Sequence, residues 1–295
     1  MRTLLHKAHH LLLAAQVPKL PTLCKRLNCM LLPPATGPVF VTTNYGVEIK
    51  VDPTFDKGLE REIYYTGNYE VGTLSVFRAV LRPGDVFIDI GANIGLMTLT
   101  GARAVGPKGQ VFAFEANPTT FHILQENIQK NKLINIRSMC VGLGETPSSM
   151  KLYVNTSISR GSASLLSGEE GSKEVVVDVI TLDDYFQSNP VGSPRLIKID
   201  VEGFEIPVMK GGTRLFHDNP QFMVCFEYDG RKAGEAERTF FNEQFKDWNI
   251  YRLRKGKSRI SKLASAPPLK EMRFADNLFA IPKAAQSSFP AAIFE

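Results

Sequence analysis

The chain has 295 residues, 43% hydrophobic and 22% charged, enough for one large domain or two ordinary ones and too apolar to be mainly disordered. Its apolar runs fall far short of the ~20 residues that cross a bilayer. The net charge of +5 is localised: residues 1–47 hold five Lys/Arg and no acid, and the remainder balances 30 basic against 30 acidic groups, which argues against a nucleic-acid partner.

In the first segment, Leu4, Leu5, Leu11, Leu12 and Leu13 alternate with Arg2, His6, Lys7, His9 and His10. That pattern predicts a short basic amphipathic helix ended by Pro18 and Pro21, and Pro33, Pro34 and Pro38 make the following stretch a poor helix. The histidines interrupt the apolar run, so it matches a signal peptide poorly. Residues 1–38 read as an arm that docks on the body, on a protein partner or peripherally on a membrane surface. Four scattered cysteines (Cys24, Cys29, Cys140, Cys225) favour a reducing compartment and a cytoplasmic protein.

A body over 39–283 follows. Val39–Thr43 and Val47–Val51 read as a hairpin, and Val71, Leu74, Phe77, Val80 and Leu81 as a helix closed by the turn Arg82–Asp85. Strands are then expected at Val86–Ile90, Gln110–Glu115 and Ile134–Leu143, with helices running up to Val105 and over Pro118–Asn131. Continuous apolar strands in β-α-β-α-β order specify a parallel sheet covered on both faces. Met150–Val154 and Glu174–Ile180 read as an antiparallel pair around a Ser/Gly-rich stretch whose residues Ser157–Ser167 are a candidate pocket edge. Thr181 opens a helix; then come strand Leu196–Val201, helix Glu205–Phe216, strand Gln221–Tyr228, helix Glu235–Trp248 and strands Ile250–Leu253 and Leu278–Ile281. Residues 284–295 form a tail without a pattern. The basic stretch Arg252–Lys262 reads as a solvated loop or edge-strand guard, with an anionic acceptor or lipid headgroup as the functional alternative.

Three motifs carry chemistry. Asp85–Gly95 is a buried strand ending in Asp89 and a Gly91-Ala-Asn93-Ile-Gly95 turn that opens a helix, the place where open α/β sheets bind ligands. A dinucleotide site would want Gly-x-Gly-x-x-Gly. A carboxylate at Asp89 would repel a pyrophosphate and attract the ammonium of a methionine moiety, directly or through water, so its sign favours S-adenosylmethionine over NAD. Glu115, 20 residues past Gly95 at the end of the second strand, suits the two hydroxyls of an adenosine ribose, with a helix-capping role as the alternative. Third, Leu196–Glu205 puts four ionisable groups on one strand end and turn; alternation sets Lys198 and Asp200 on one side and Ile197, Ile199 and Val201 on the other.

Together, Phe-Ile-Asp-Ile-Gly-Ala-Asn-Ile-Gly (87–95), Thr-Leu-Asp-Asp (181–184) and Ile-Lys-Ile-Asp-Val-Glu-Gly-Phe-Glu (197–205) resemble the FkbM-type S-adenosylmethionine-dependent methyltransferases over about residues 60–230. The resemblance implies a Rossmann-like α/β fold, a seven-stranded class I methyltransferase sheet, mostly parallel with an antiparallel final strand. It also implies S-adenosylmethionine as donor and a hydroxyl acceptor on a small metabolite, sugar, lipid or polyketide-like molecule. By that analogy Asp89, Gly91, Asn93, Gly95 and Glu115 contact the donor, and Asp200, Glu202 and Glu205 lie toward the acceptor.

A hydroxyl acceptor gains from a general base, for which Asp200 is the first candidate, with Glu227 on the next strand end and Lys198 beside it. Two carboxylates there would suit Mg²⁺, so a divalent metal is an open alternative. Tyr64, Tyr65, Tyr69 and Glu70 form a cluster that either packs a helix or lids the pocket, with Tyr65 and Glu70 as acceptor contacts. N- or C-methylation, a nucleotide-dependent oxidoreductase and a non-catalytic donor-binding module remain the competing readings.

Overall fold

The computed structural model describes residues 2–14, 20–154, 163–166, 172–218, 220–229, 234–254, 256–263 and 276–295. Two helices come first, α1 (Arg2–Ala14) and α2 (Leu20–Leu31), then the expected hairpin of β1 (Val39–Thr42) and β2 (Glu48–Val51). The second helix was not expected. Pro21 falls in its first turn, where a missing N–H costs nothing, so proline here sits at a helix start instead of ending one. Next come α3 (Leu59–Thr66), α4 (Val71–Val80), β3 (Val86–Ile90), α5 (Leu96–Val105), β4 (Gln110–Phe114), α6 (Pro118–Asn131) and β5 (Ile136–Met139). Asn117 caps α6 by accepting from Thr119 N at 3.1 Å, ahead of a proline at the first helical position.

The expected third strand, Ile134–Leu143, is in fact two. After β5 the chain leaves the main sheet, and β6 (Gly142–Leu143) pairs in parallel with β8 (Lys173–Ile180), which also pairs antiparallel with β7 (Ser148–Val154). An apolar run carries no mark of where its hydrogen-bond partner changes. Thr181 accepts from Asp184 N and opens α7 (Leu182–Ser188), followed by β9 (Leu196–Ile199).

The helix expected over Glu205–Phe216 is broken into α8 (Glu205–Lys210) and α9 (Thr213–His217). A Cβ on Gly211 would stand 1.9 Å from Gly144 O, so this glycine lets two backbones touch. The remaining elements are β10 (Met223–Tyr228), α10 (Glu235–Gln244), β11 (Trp248–Leu253), β12 (Ile260–Lys262) and β13 (Asp276–Pro282). Trp248 belongs to β11 and not to the preceding helix, because its ring packs with Phe222 and Phe245 under the sheet.

The main sheet runs β12-β11-β13-β10-β9-β3-β4-β5. Its neighbours are parallel from β5 to β10; β13 is antiparallel to both β10 and β11. The expected seven strands are present in mostly parallel order, and β12 adds an eighth at the edge, inside the basic stretch. Alternation along β3 and β9 splits the core. Phe87 and Leu196 pack with α4 and α5 on one face, and Ile88, Ile197 and Ile199 pack with α7 to α10 on the other.

Candidate functional site

The ends of β3, β4 and β9 converge on a cavity of about 280 Å³. Its floor is the turn after β3. Gly91 and Ala92 donate their N–H groups to Phe114 O, both at 2.9 Å, and Asn127 Nδ2 donates to Ile94 O at 2.8 Å, so the turn is clamped to β4 and α6. The glycines were expected to admit a ligand. Gly91 and Gly95 do line the cavity, and their geometry also serves the protein itself: Gly91 has φ +75° and a Cβ there would stand 1.8 Å from Asp200 O, while Gly95 has φ +98° and would press Leu124 at 2.5 Å. Gly91 is thus where β3 and the β9 turn meet backbone to backbone.

Glu115 lines the cavity where sequence reasoning expected an acid. Its Oε2 accepts from Asn93 N at 2.8 Å and its Oε1 from Asn117 N at 2.9 Å, so the carboxylate joins two loops. Burial pushes its pKa up to about 6, opposed by those two hydrogen bonds. Asn93 also lines the cavity, with φ +51°.

Asp89 requires a correction. It is fully buried and stands behind the wall of the cavity, its Oδ2 accepting from Thr98 Oγ1 at 2.5 Å. Its Oδ1 accepts no hydrogen bond among the described residues and faces Lys198 Nζ at 3.8 Å. Burial pushes its pKa upward despite that ammonium. Parallel register explains the placement: Asp89 lies beside Lys198, so the two side chains share one face of the sheet.

Lys198 reaches the cavity, and its Nζ holds Asp200 Oδ2 at 3.0 Å. Burial opposes its charge, but the carboxylates of Asp200, Asp89 and Glu70 outweigh that and keep the ammonium protonated. Glu70 lines the same wall and accepts from Asn277 Nδ2 at 2.9 Å; burial, then Asp200, raises its pKa. Glu202 is a further lining residue, on the turn after β9. Four non-glycine residues among those described have positive φ, and three of them, Glu70, Asn93 and Glu202, line this cavity. Such strain gathers where side chains must be held at a site.

Two expected acceptor contacts do other work. Glu205 turns back on its own loop, its Oε1 accepting from Val201 N at 3.1 Å and Gly203 N at 3.3 Å, and it does not line the cavity. Tyr65 packs edge-on against Tyr64 at 4.9 Å on α3, also away from the cavity. The aromatic cluster therefore divides: Tyr64 and Tyr65 pack a helix, while Tyr69 and Glu70 face the cavity. Glu227 pairs in register with Asn277 on β13 and stands just outside the lining; burial, then Asp200, Glu202, Glu205 and Glu70, push its pKa up to about 8.

Among the described residues no three His, Cys, Asp or Glu side chains gather with the geometry of a metal site. Much of the expected Ser/Gly-rich pocket edge, residues 157–162 and 167, lies outside the described residues, but Ala163 and Leu165 line the cavity. With Val141, Leu143 and Leu152 they form an apolar wall, built from the small sheet and the segments beside it, that sequence reasoning did not assign to the site. Thr98 was also missed, although it follows Asp89 by nine residues on the first turn of α5, where a helix-face reading would find it.

Residues 89–257 match the family described as the Methyltransferase FkbM domain. The hexuronic acid methyltransferase AglP of Haloferax volcanii is 33% identical over 147 residues, covering 48% of this chain and 57% of that protein. The 31-O-demethyl-FK506 methyltransferase FkbM of Streptomyces tacrolimicus is 27% identical over 158 residues, 44% of this chain and 60% of that one. The chain thus spans little more than half the length of these relatives. Among solved structures, M. jannaschii TYW2 in complex with AdoMet superposes with a TM-score of 0.40 at 14% identity, covering 85% of this chain and 87% of that one.

Proposed function

This chain belongs to the FkbM methyltransferase family, and we propose that it transfers a methyl group from S-adenosylmethionine to a hydroxyl of a small metabolite, sugar, lipid or polyketide-like acceptor. The observation that carries the reading is the convergence of Lys198, Asp200, Glu202 and Glu70 on the cavity that Glu115 lines.

The side chains suit that donor. Glu115 keeps lone pairs on both oxygens after taking two backbone N–H groups, as a pair of ribose hydroxyls requires. A zwitterionic amino-acid headgroup with a neighbouring sulfonium needs more anion than cation, and the cavity offers several carboxylates around one ammonium. Asp89 contributes from behind, by fixing Lys198.

When bound, S-adenosylmethionine would supply an electrophilic methyl carbon open to in-line displacement by an oxygen, the carbon–sulfur bond breaking so that the donor leaves as a neutral thioether. The protein holds the acceptor in line and excludes water, for which the wall of Val141, Leu143, Leu152 and Leu165 is suited. Asp200 is the general base: its carboxylate takes the proton of the acceptor hydroxyl as the oxygen forms its bond to carbon. Lys198 fixes that carboxylate from one side. Glu227, with its pKa near 8, stays largely protonated at neutral pH and spares Asp200 a further negative neighbour.

Titration calorimetry with S-adenosylmethionine and with NAD, followed by turnover on labelled donor and a metabolite extract, tests this. Asp200→Asn is expected to lower turnover by about 10²- to 10⁴-fold while donor affinity stays within about threefold. Heat with NAD alone would overturn the donor assignment, and full turnover by Asp200→Asn would remove the base.

A further inference from the structure

The two N-terminal helices are inside out. Where α1 and α2 meet the body they bury polar side chains: His6, His9 and Asn28 are all buried. His6 Nε2 lies 3.0 Å from Tyr64 O, and Asn28 Nδ2 donates to Tyr65 O at 2.9 Å. The Lys25–Glu62 ion pair adds a tie to α3. The outward faces are the apolar ones. Leu4 is 73% exposed, Leu11 68%, Leu23 52% and Met30 81%, and Leu27 and Leu31 are exposed with them. These six are the majority of the ten exposed large hydrophobics among the described residues.

Their spacing is helical. Positions 4 and 11 mark one stripe of α1; positions 23, 27, 30 and 31 mark one stripe of α2. Exposed Lys7 falls between the leucines of the first stripe, and exposed Arg26 within the second. No acidic residue occurs before Glu48, so every formal charge on this arm is positive. An apolar stripe that serves folding points into the core. Here the hydrogen-bonding side is spent on docking, and the leucine side is left to water, which is costly unless something covers it.

We propose that the outward face of α1 and α2 is a docking surface for an anionic lipid bilayer. Leucine and methionine side chains enter the acyl boundary, and Lys7 and Arg26 meet acidic headgroups. Charge complementarity selects this occupant: a second copy would set one basic face against another, which repels, whereas acidic headgroups neutralise it. No helix among the described residues is long and apolar enough to cross a membrane, so the contact is peripheral. The inference stands independently of the methyl-transfer reading.

The test is sedimentation of the whole chain with vesicles of phosphatidylcholine alone and of phosphatidylcholine with phosphatidylserine. The expected result is pelleting with the anionic vesicles only, weakened by salt. Leu11→Ser with Met30→Ser, and separately Lys7→Glu with Arg26→Glu, are expected to weaken that binding at least about tenfold. All four side chains are solvent-exposed, and an unchanged far-UV circular dichroism melt establishes that the variants fold. Absence of pelleting with either vesicle, or equal pelleting with both, overturns the proposal. Concentration-dependent dimerisation lost in Leu11→Ser with Met30→Ser, without vesicle binding, overturns it by assigning the face to a second copy.

Discussion

The cavity wall and the docked arm both bury polar side chains, but in opposite ways. At the cavity the buried groups are charged: Asp89 and Lys198 lie side by side on neighbouring parallel strands, with Asp89 Oδ1 short of a hydrogen bond among the described residues, and three lining residues take strained backbone angles. Beneath the arm the buried polar groups include the amide of Asn28 and the imidazoles of His6 and His9, and Asn28 and His6 meet backbone carbonyls of α3. Burial pushes the His6 pKa down, so that ring is neutral at physiological pH. The contrast separates two tasks. The dock rests chiefly on amide and imidazole contacts to backbone carbonyls, which cost little to bury; a binding site keeps charge and strain in reserve for its ligand.

The sharpest way to break the comparison is Lys198→Met. It leaves Asp89 and Asp200 without their cation and is expected to cost about 4 kcal/mol in urea unfolding, with partial recovery when Asp89→Asn is added. A loss as small as that of a surface ion pair would mean that the cavity charges are no more committed than those of the arm. Gly91→Ala comes next, at about 3 kcal/mol, because the new methyl meets Asp200 O in a left-handed backbone conformation.

Glu227 offers a pH test. Its folded pKa is raised from 4.5 to about 8, so the folded state holds a proton that the unfolded state has released. The resulting stability is full below pH 4.5 and is lost as pH rises toward 8. Glu227→Gln should therefore melt at a higher temperature than the parent at pH 8 to 9, with a flatter profile between pH 5 and 8; identical profiles would show that Glu227 is not strained by its acidic neighbours. The smallest effect belongs to the arm. Asn28→Ala deletes one hydrogen bond to Tyr65 O and is expected to cost about 1 kcal/mol in the same unfolding assay.

Much of this was legible in the residues. Val86–Ile90 and Pro118–Asn131 have the bounds their periodicity predicts, and Thr181 and Asn117 are the caps their side chains suggest. Glu115 lines the cavity because a strand end is a local property, readable from where an apolar run stops. Asp89 and Asp200 each follow a run of the same kind, yet one is sealed and the other is open. Nothing within either motif distinguishes them. Likewise Tyr65 and Tyr69 look alike in sequence, yet one packs against Tyr64 and the other lines the cavity.

The sequence by itself determined the alternation of the central strands and helices, the crevice at the ends of β3 and β9, and the family to which the chain belongs, since each rests on spacing within a few tens of residues. Tertiary structure decided which carboxylate meets the cavity, that Gly91 and Gly211 serve contacts between backbones, that the small sheet closes the site, and that the arm turns its leucines outward. Those outcomes depend on neighbours far away in the chain, and burial is a sum over all such neighbours, whichever segment they come from.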